Sequence, residues 1–249
     1  MKKEYINEIA WNKLFEFFSS QKNIYVCEKE KTKMFIEAIF WMARTGSQWR
    51  ELPEIYGNWN TVFSRFNSWS KKKIWEKMFD FCIKDPDLEY VMIDATIVRA
   101  HACSAGYGDQ EIEGLGRSKG GFTSKIHAKI DALGNPLKFI VTPGQRNDVT
   151  QGIDLLSGTR GVYTITDKGY DSDAIREYIE QNESTPVIPS RSNRKTPIDH
   201  DKHIYKERHL VECFFSKIKH FRRIFSRFDK SARNFVSFLS FVGAFIWLR

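Results

Sequence analysis

At Asp85-Pro86-Asp87 the hydrophobic rhythm of the chain changes, and that change limits the fold more than any other feature. Before it, apolar residues recur at helical spacing in Ile9 to Phe18 and Met34 to Met42, and Thr61 to Trp69 and Ile74 to Ile83 read as two further short helices. The stretch Trp49-Arg-Glu-Leu-Pro-Glu-Ile-Tyr-Gly-Asn-Trp59 supplies the turn between the pairs. After the break, Glu89 to Asp94 is a short apolar run closing on a carboxylate, which reads as a buried strand. Phe122 to Ile130 alternates apolar and polar residues, a turn follows at Gly134-Asn135, and Leu137 to Thr142 returns as the next strand. Helix (Val149 to Leu156), strand (Val162 to Thr166), helix (Asp173 to Gln181), strand (Pro186 to Pro189) and a long helix from about Tyr205 complete the pattern.

Three antiparallel strands followed by strands alternating with helices make a mixed α/β sheet, and the order is that of a ribonuclease H-like domain. The expected organisation is a small all-helical domain over residues 1–86, a candidate helix-turn-helix DNA reader, followed by an α/β domain over 87–249. The opening Met1-Lys2-Lys3-Glu4-Tyr5 leads into a polar and aromatic segment without the apolar core of a signal peptide, so a cytoplasmic location is expected. Phe235 to Leu248, 14 residues, is too short to span a bilayer and reads as a buried terminal helix. Cys27, Cys82, Cys103 and Cys213 are too scattered for a zinc knuckle or redox pair.

Charge is where composition matters. The chain carries a net +8, and residues 191–233 alone hold 13 Lys and Arg against five acids, so the whole excess lies in that segment. Interleaved with Phe214, Phe215, Phe221, Phe225 and Phe228, it suits either a phosphate-binding surface or a solvated basic helix. Arg222 and Arg223 inside it are candidate DNA contacts. The four histidines of the window, His200, His203, His209 and His220, are irregularly spaced and read as surface residues or additional DNA contacts in preference to a metal cage, and His101 and His127 as ordinary polar residues. Gly114-Leu-Gly-Arg-Ser-Lys-Gly-Gly121 fits neither dinucleotide nor P-loop spacing and reads as a mobile loop whose Arg117 and Lys119 can reach phosphate.

Asp94 and Asp167 each follow an apolar strand, where a carboxylate is either a cap or turn residue or faces the crevice in which open sheets bind ligands. At 100° per residue, Tyr205, Arg208, Glu212 and Lys219 share one narrow face of the long helix, opposite a stripe of Leu210, Phe214, Ile218, Phe221 and Phe225. Glu212 is thus a single acid among two cations and a tyrosine. Two readings stay open: an ion pair on a helix surface, or a metal-binding carboxylate flanked by phosphate clamps, with Asp94 and Asp167 completing a site for two Mg²⁺ ions.

The spacing Tyr205-x₂-Arg208-x₃-Glu212-x₆-Lys219 matches the Y-x₂-R-x₃-E-x₆-K signature of bacterial insertion-sequence transposases. IDATIVRAH (93–101), GRSKGGFTSKIHAKIDALGNPLKF (116–139), TPGQRNDVTQ (142–151), TDKGYDSDAIR (166–176), IPSRSNRK (188–195), YKERHLVECFFSKIKHFRRIFSRFDK (205–230) and FWMARTGSQWRELPEIYGNW (40–59) resemble the insertion sequence 5 family. The resemblance implies a DDE transposase with a ribonuclease H-like domain that uses Mg²⁺ or Mn²⁺. It implies Asp94, Asp167 and Glu212 as catalytic and metal-binding acids. Tyr205, Arg208 and Lys219 would touch element-end DNA, and a homodimer or larger assembly would act on paired ends. Only 21 residues separate Ser190 from Glu212, so the β-rich insertion of some relatives is absent. A catalytically inactive DNA-binding relic is the alternative.

Overall fold

The computed structural model describes residues 6–118 and 121–248. Four helices come first: α1 (Glu8–Ser20), α2 (Lys29–Thr45), α3 (Trp59–Lys71) and α4 (Ile74–Cys82). The Asn7 side chain caps α1, and the Asn58 side chain caps α3, by accepting the free N–H groups of each first turn. Gly46, with φ +66°, ends α2 in the left-handed conformation that glycine adopts at least cost.

Seven strands form one sheet: β1 (Tyr90–Ala100), β2 (Gly116–Ser118), β3 (Gly121–Ile130), β4 (Pro136–Pro143), β5 (Tyr163–Thr166), β6 (Thr185–Val187) and β7 (Ser226–Arg227). β1 is central, with antiparallel β3 on one side and parallel β5 on the other. β4 pairs antiparallel with β3, β6 parallel with β5, β2 extends β3, and β7 pairs with the end of β1. This is the ribonuclease H-like strand order expected from the sequence. α5 (Gly152–Leu156) and α6 (Asp173–Gln181) cover one face. On the other lie α8 (His209–Lys219) and α10 (Ala232–Trp247), after α7 (Lys202–Tyr205) and with α9 (Arg222–Phe225) between them.

Strand β1 differs from the expected run: it does not close at Asp94 but continues to Ala100, because Thr96, Val98 and their neighbours pair with β3 as far as Arg99↔Thr123. Nor is the long helix continuous. A 3-10 turn (Lys206–Arg208) joins α7 to α8, and the helix ends at Lys219 because Phe221 is extended (φ −83°, ψ 107°). The buried stripe of α8 is accordingly Val211, Phe214, Phe215 and Ile218, whereas Phe225 lies beyond the break and is 62% exposed.

The N-terminal helices share one core with the sheet and with α10, which buries Phe235, Phe238, Leu239, Phe241, Val242 and Phe245. Phe66 of α3 stacks on Phe238 at 4.5 Å between centroids, and Trp75 of α4 meets Phe241 edge-on at 5.6 Å. Gly243 lets α10 come close: a Cβ there would lie 2.8 Å from Phe79 and 2.9 Å from Phe139. No helix among the described residues is long and apolar enough to cross a membrane.

Candidate active site

The pairing of β1 with β5 ends at Ile93↔Thr166, so Asp94 and Asp167 are the next residues on two neighbouring parallel strands. The two carboxylates thereby emerge side by side where the strands part. Met92 and Ile165, two residues earlier on each strand, belong to the core beneath α8, so by the alternation of a strand both acids face that helix. Asp167 also caps the 3-10 turn Lys168–Tyr170, accepting the Gly169 N–H at 2.8 Å. The cap and crevice readings therefore coincide. A Cβ on Gly169 would come within 2.8 Å of the Asp167 carboxylate, which explains a glycine at that place.

Asp94 Oδ1 accepts the N–H of Ala95 at 2.7 Å, and its Oδ2 accepts from Arg208 Nη1 at 2.9 Å. Burial pushes its carboxyl up to about 6; the charges of Asp167 and Asp148 act in the same direction, against the Ala95 N–H and Arg208. Arg208 Nη2 also donates to Glu212 Oε1, so one guanidinium bridges an acid of the sheet and an acid of α8. Burial works against the Arg208 charge, but Asp94, Tyr205 and Glu212 hold its pKa above the ordinary value. Lys219 Nζ donates to Thr96 Oγ1 at 2.6 Å, two residues along β1 from Asp94. Tyr205 is half-buried against the core and close enough to Arg208, Asp167 and Asp94 to feel their charges. The four spaced residues of the α7–α8 segment thus converge over the two aspartates.

The other expected contacts divide. Arg222 is exposed at the start of α9, and Arg117 is exposed with its guanidinium 5.3 Å from the Phe122 ring centroid. Lys119 lies outside the described residues. Arg223 corrects the expectation: it is 3% exposed, forms a two-bond ion pair with Asp229 (3.1 and 3.0 Å), donates to the Ser47 carbonyl and lies against Trp49 and Phe238. A guanidinium so enclosed is a structural tie between α9 and the N-terminal helices, and it presents no surface to DNA.

Sequence reasoning missed a polar cluster behind the site. His127 and Lys125 alternate with the core residues Ile126 and Ala128, so they project from the opposite face of β3. There Asp148 accepts from Lys125 Nζ at 2.7 Å and lies 4.0 Å from His127 Nδ1, while His127 Nε2 meets Thr142 Oγ1 at 2.8 Å. Burial pushes the His127 pKa down to about 4, so the ring is neutral at pH 7. Tyr170 is wholly buried, its hydroxyl without a partner among the described residues, and it feels Asp148, Asp94 and Asp167. The strand alternation of FTSKIHAKI was the available signal for His127; nothing local marks Asp148.

Fold and paired acids together define a ribonuclease H-like α/β protein with a carboxylate site beside a basic helix. The transposase DDE domain family matches residues 85–245, and the chain belongs to that family. A second family, described as "Putative transposase of IS4/5 family", matches residues 6–79. The chain is 43% identical over 129 residues to the "Putative transposase for insertion sequence element IS6501" of Brucella ovis, covering 51% of this chain and 99% of that protein. It is 35% identical over 123 residues to the "Putative transposase for insertion sequence element IS402" of Burkholderia cepacia, covering 44% of this chain and 55% of that protein. A piggyBac transposase synaptic complex with hairpin DNA superposes with a TM-score of 0.46 at 14% identity, covering 78% of this chain and 52% of that one.

Proposed function

We propose that this transposase binds the terminal inverted repeats of its insertion sequence, cuts the element ends and transfers the freed strands to target DNA. Asp94, Asp167 and Glu212 are the catalytic acids in this reading. The observation that carries it is the placement of Asp94 beside Asp167 beneath the helix face bearing Tyr205, Arg208, Glu212 and Lys219.

Among the described residues, no three acidic, His or Cys side chains stand close enough to enclose a metal ion. The donor chemistry nonetheless fits Mg²⁺ or Mn²⁺. All three acids offer hard oxygen ligands, and a guanidinium already bridges two of them, which marks the position as one that calls for positive charge. Glu212 is 60% exposed and free to turn from Arg208 toward the aspartates. When bound, a pair of such ions supplies an activated water or 3′-hydroxyl and shields the charge of the phosphodiester. The chain's own part is positional. The sheet fixes Asp94 and Asp167, α8 brings Glu212 over them, and Lys219, held on Thr96, offers a cation to the phosphate next to the scissile bond. Arg208, released from the acids, contacts the same backbone. Arg117, Arg222 and Tyr205 extend the DNA path, and the helical part (1–86) contributes to recognition of the ends.

The protein acts in the nucleoid, as a dimer or larger assembly on paired ends. The test supplies purified protein with Mg²⁺ and DNA carrying the inverted repeats that flank its coding region. Nicking at the repeat ends and joining to a target plasmid are expected; binding without cleavage under all metal conditions would instead identify an inactive relic.

A further inference from the structure

The loop between β1 and β2 carries the most exposed aliphatic side chain among the described residues, Ile112, 79% exposed. A single apolar tip is ordinary on a protein surface, but this one is held in place. Asp109 Oδ1 accepts the Glu111 N–H at 2.8 Å, the Asp109 carbonyl accepts the Glu113 N–H at 2.9 Å, and the Gln110 carbonyl accepts the Leu115 N–H at 2.7 Å, which closes a compact turn. Arg146 pairs with Glu111, and the Glu113 carboxylate accepts the N–H of Ala232, the first residue of α10. Ile112 thus stands on a fixed base, flanked by the carboxylates of Asp109, Glu111 and Glu113.

At the opposite end of α10, Trp247 and Leu248 join Ile9 and Ala10 of α1 and Phe81 of α4 around a groove of about 290 Å³. Its walls are also fixed: Phe81 stacks on Phe17 with ring centroids 4.9 Å apart, and Trp247 Nε1 donates to the Pro136 carbonyl at 2.7 Å. Ile9 is exposed and Phe81 partly so, and apolar surface from three helices meeting water in one place marks a contact surface. The charged groups lining the groove are Lys13 and Lys84, neither in an ion pair among the described residues, and no acid lines it. Its other polar side chain, Asn7, is committed to the Ala10 N–H. A small-molecule site needs convergent polar groups to orient its ligand. An apolar slot beside two unpaired lysines instead suits an aliphatic side chain flanked by acids, which is what the 109–113 turn presents.

The two features cannot meet within one chain, because the 16 residues of α10, roughly 24 Å, separate them. We infer that they meet between two copies: Ile112 of each chain seats in the Ile9–Phe81–Trp247 groove of the other, with Asp109 and Glu111 facing Lys13 and Lys84. A two-fold axis that sets the two α10 helices antiparallel brings each turn to the other's groove, so both contacts form together and the assembly closes as a dimer. The use of this dimer in pairing element ends rests on the function proposed above; the contact itself does not.

The test is sedimentation of the full-length protein without DNA over a concentration series. A monomer–dimer equilibrium is expected. Ile112→Ser removes one buried aliphatic side chain from each of the two contacts and should raise the dimer Kd roughly 10²- to 10⁴-fold, with an unchanged thermal midpoint in dilute solution because the side chain is exposed in the single chain. Ile112→Leu should restore dimerisation. Ile9→Glu, which sets an acid opposite the acidic turn, should weaken it as well. With Cys103 and Cys213 changed to Ser, a mixture of Ile112→Cys and Ile9→Cys proteins should form an interchain disulfide under mild oxidation that neither forms alone. A dimer with the same Kd in parent, Ile112→Ser and Ile9→Glu, a mixture that does not cross-link, or growth into open chains would each overturn the interface. Failure of the parent to bind repeat ends would overturn the end-cutting function and leave the DNA-free measurement to decide the interface.

Discussion

Replacing Asp94 with Asn should make the metal-free protein more stable. Asp94 is held mostly out of water, 17% exposed, and its carboxyl titrates near 6 instead of 3.8, chiefly because burial penalises the ionised form. At about 1.4 kcal/mol per pKa unit, keeping that charge at pH 7 costs up to ~3 kcal/mol. Asparagine retains an acceptor for the Ala95 N–H but loses the bond to Arg208, whose charge keeps Glu212 as a partner. That loss offsets about 1–2 kcal/mol. A net gain of about 1–2 kcal/mol is expected, a rise of roughly 2–8 °C in Tm for a chain of this size. The sign follows from linkage. The native state binds the Asp94 proton more tightly than the unfolded chain, so its contribution to the parent's stability falls as pH rises from about 4 to about 6 and is flat above. The advantage of Asp94→Asn should therefore grow across that window and vanish below pH ~4. Thermal melts of both proteins in EDTA between pH 4 and 8 measure it. A variant that melts below the parent at pH 7.5 would show that Asp94 and Arg208 form a stabilising bridge, and the picture of an acid held at energetic cost would be wrong.

Two further perturbations probe the scaffold. Arg227 is wholly buried and donates to the carbonyls of Gly114, Asp229 and Lys230 and to Ser124 Oγ; Arg227→Ala orphans these acceptors and should cost about 3–5 kcal/mol in urea denaturation. His127 has its pKa depressed to about 4 against an ordinary 6.5, so the unfolded chain binds the extra proton first and stability contributed by the neutral ring is lost as pH falls from 6.5 to 4. His127→Gln should flatten denaturation midpoints across that range, and an unchanged slope would show that the ring is not held neutral by burial.

What was legible in the sequence followed from periodicity. The change at Asp85-Pro86-Asp87 separated helices from strands because burial on one face imposes period 3.6 on the first and period 2 on the second. The faces of the α7–α8 segment came through for the same reason, and Tyr205, Arg208, Glu212 and Lys219 do lie on one side. What was not legible depends on pairing across the fold. Asp94 looked like the last residue of its strand, yet an antiparallel partner 24 to 28 positions along the chain, Lys125 to Thr123 against Ile97 to Arg99, and β7 beside Ala100 carry the strand on to Ala100. Arg223 and Arg222 are adjacent and chemically identical in the sequence, and only the turn at Phe221 decides that one is buried against Asp229 while the other meets solvent. The same turn puts Phe225 outside, where helical continuation had placed it in the core.

The most direct measurement follows end-labelled repeat DNA through cutting and joining in Mg²⁺ with the parent protein and with Asp94→Asn, Asp167→Asn and Glu212→Gln, at protein concentrations that saturate binding. The account predicts that the parent joins repeat ends to target DNA, and that each variant binds the repeats comparably but cuts and joins at least roughly 10²–10³-fold more slowly. Joining by any of the three at the parent's rate would contradict it.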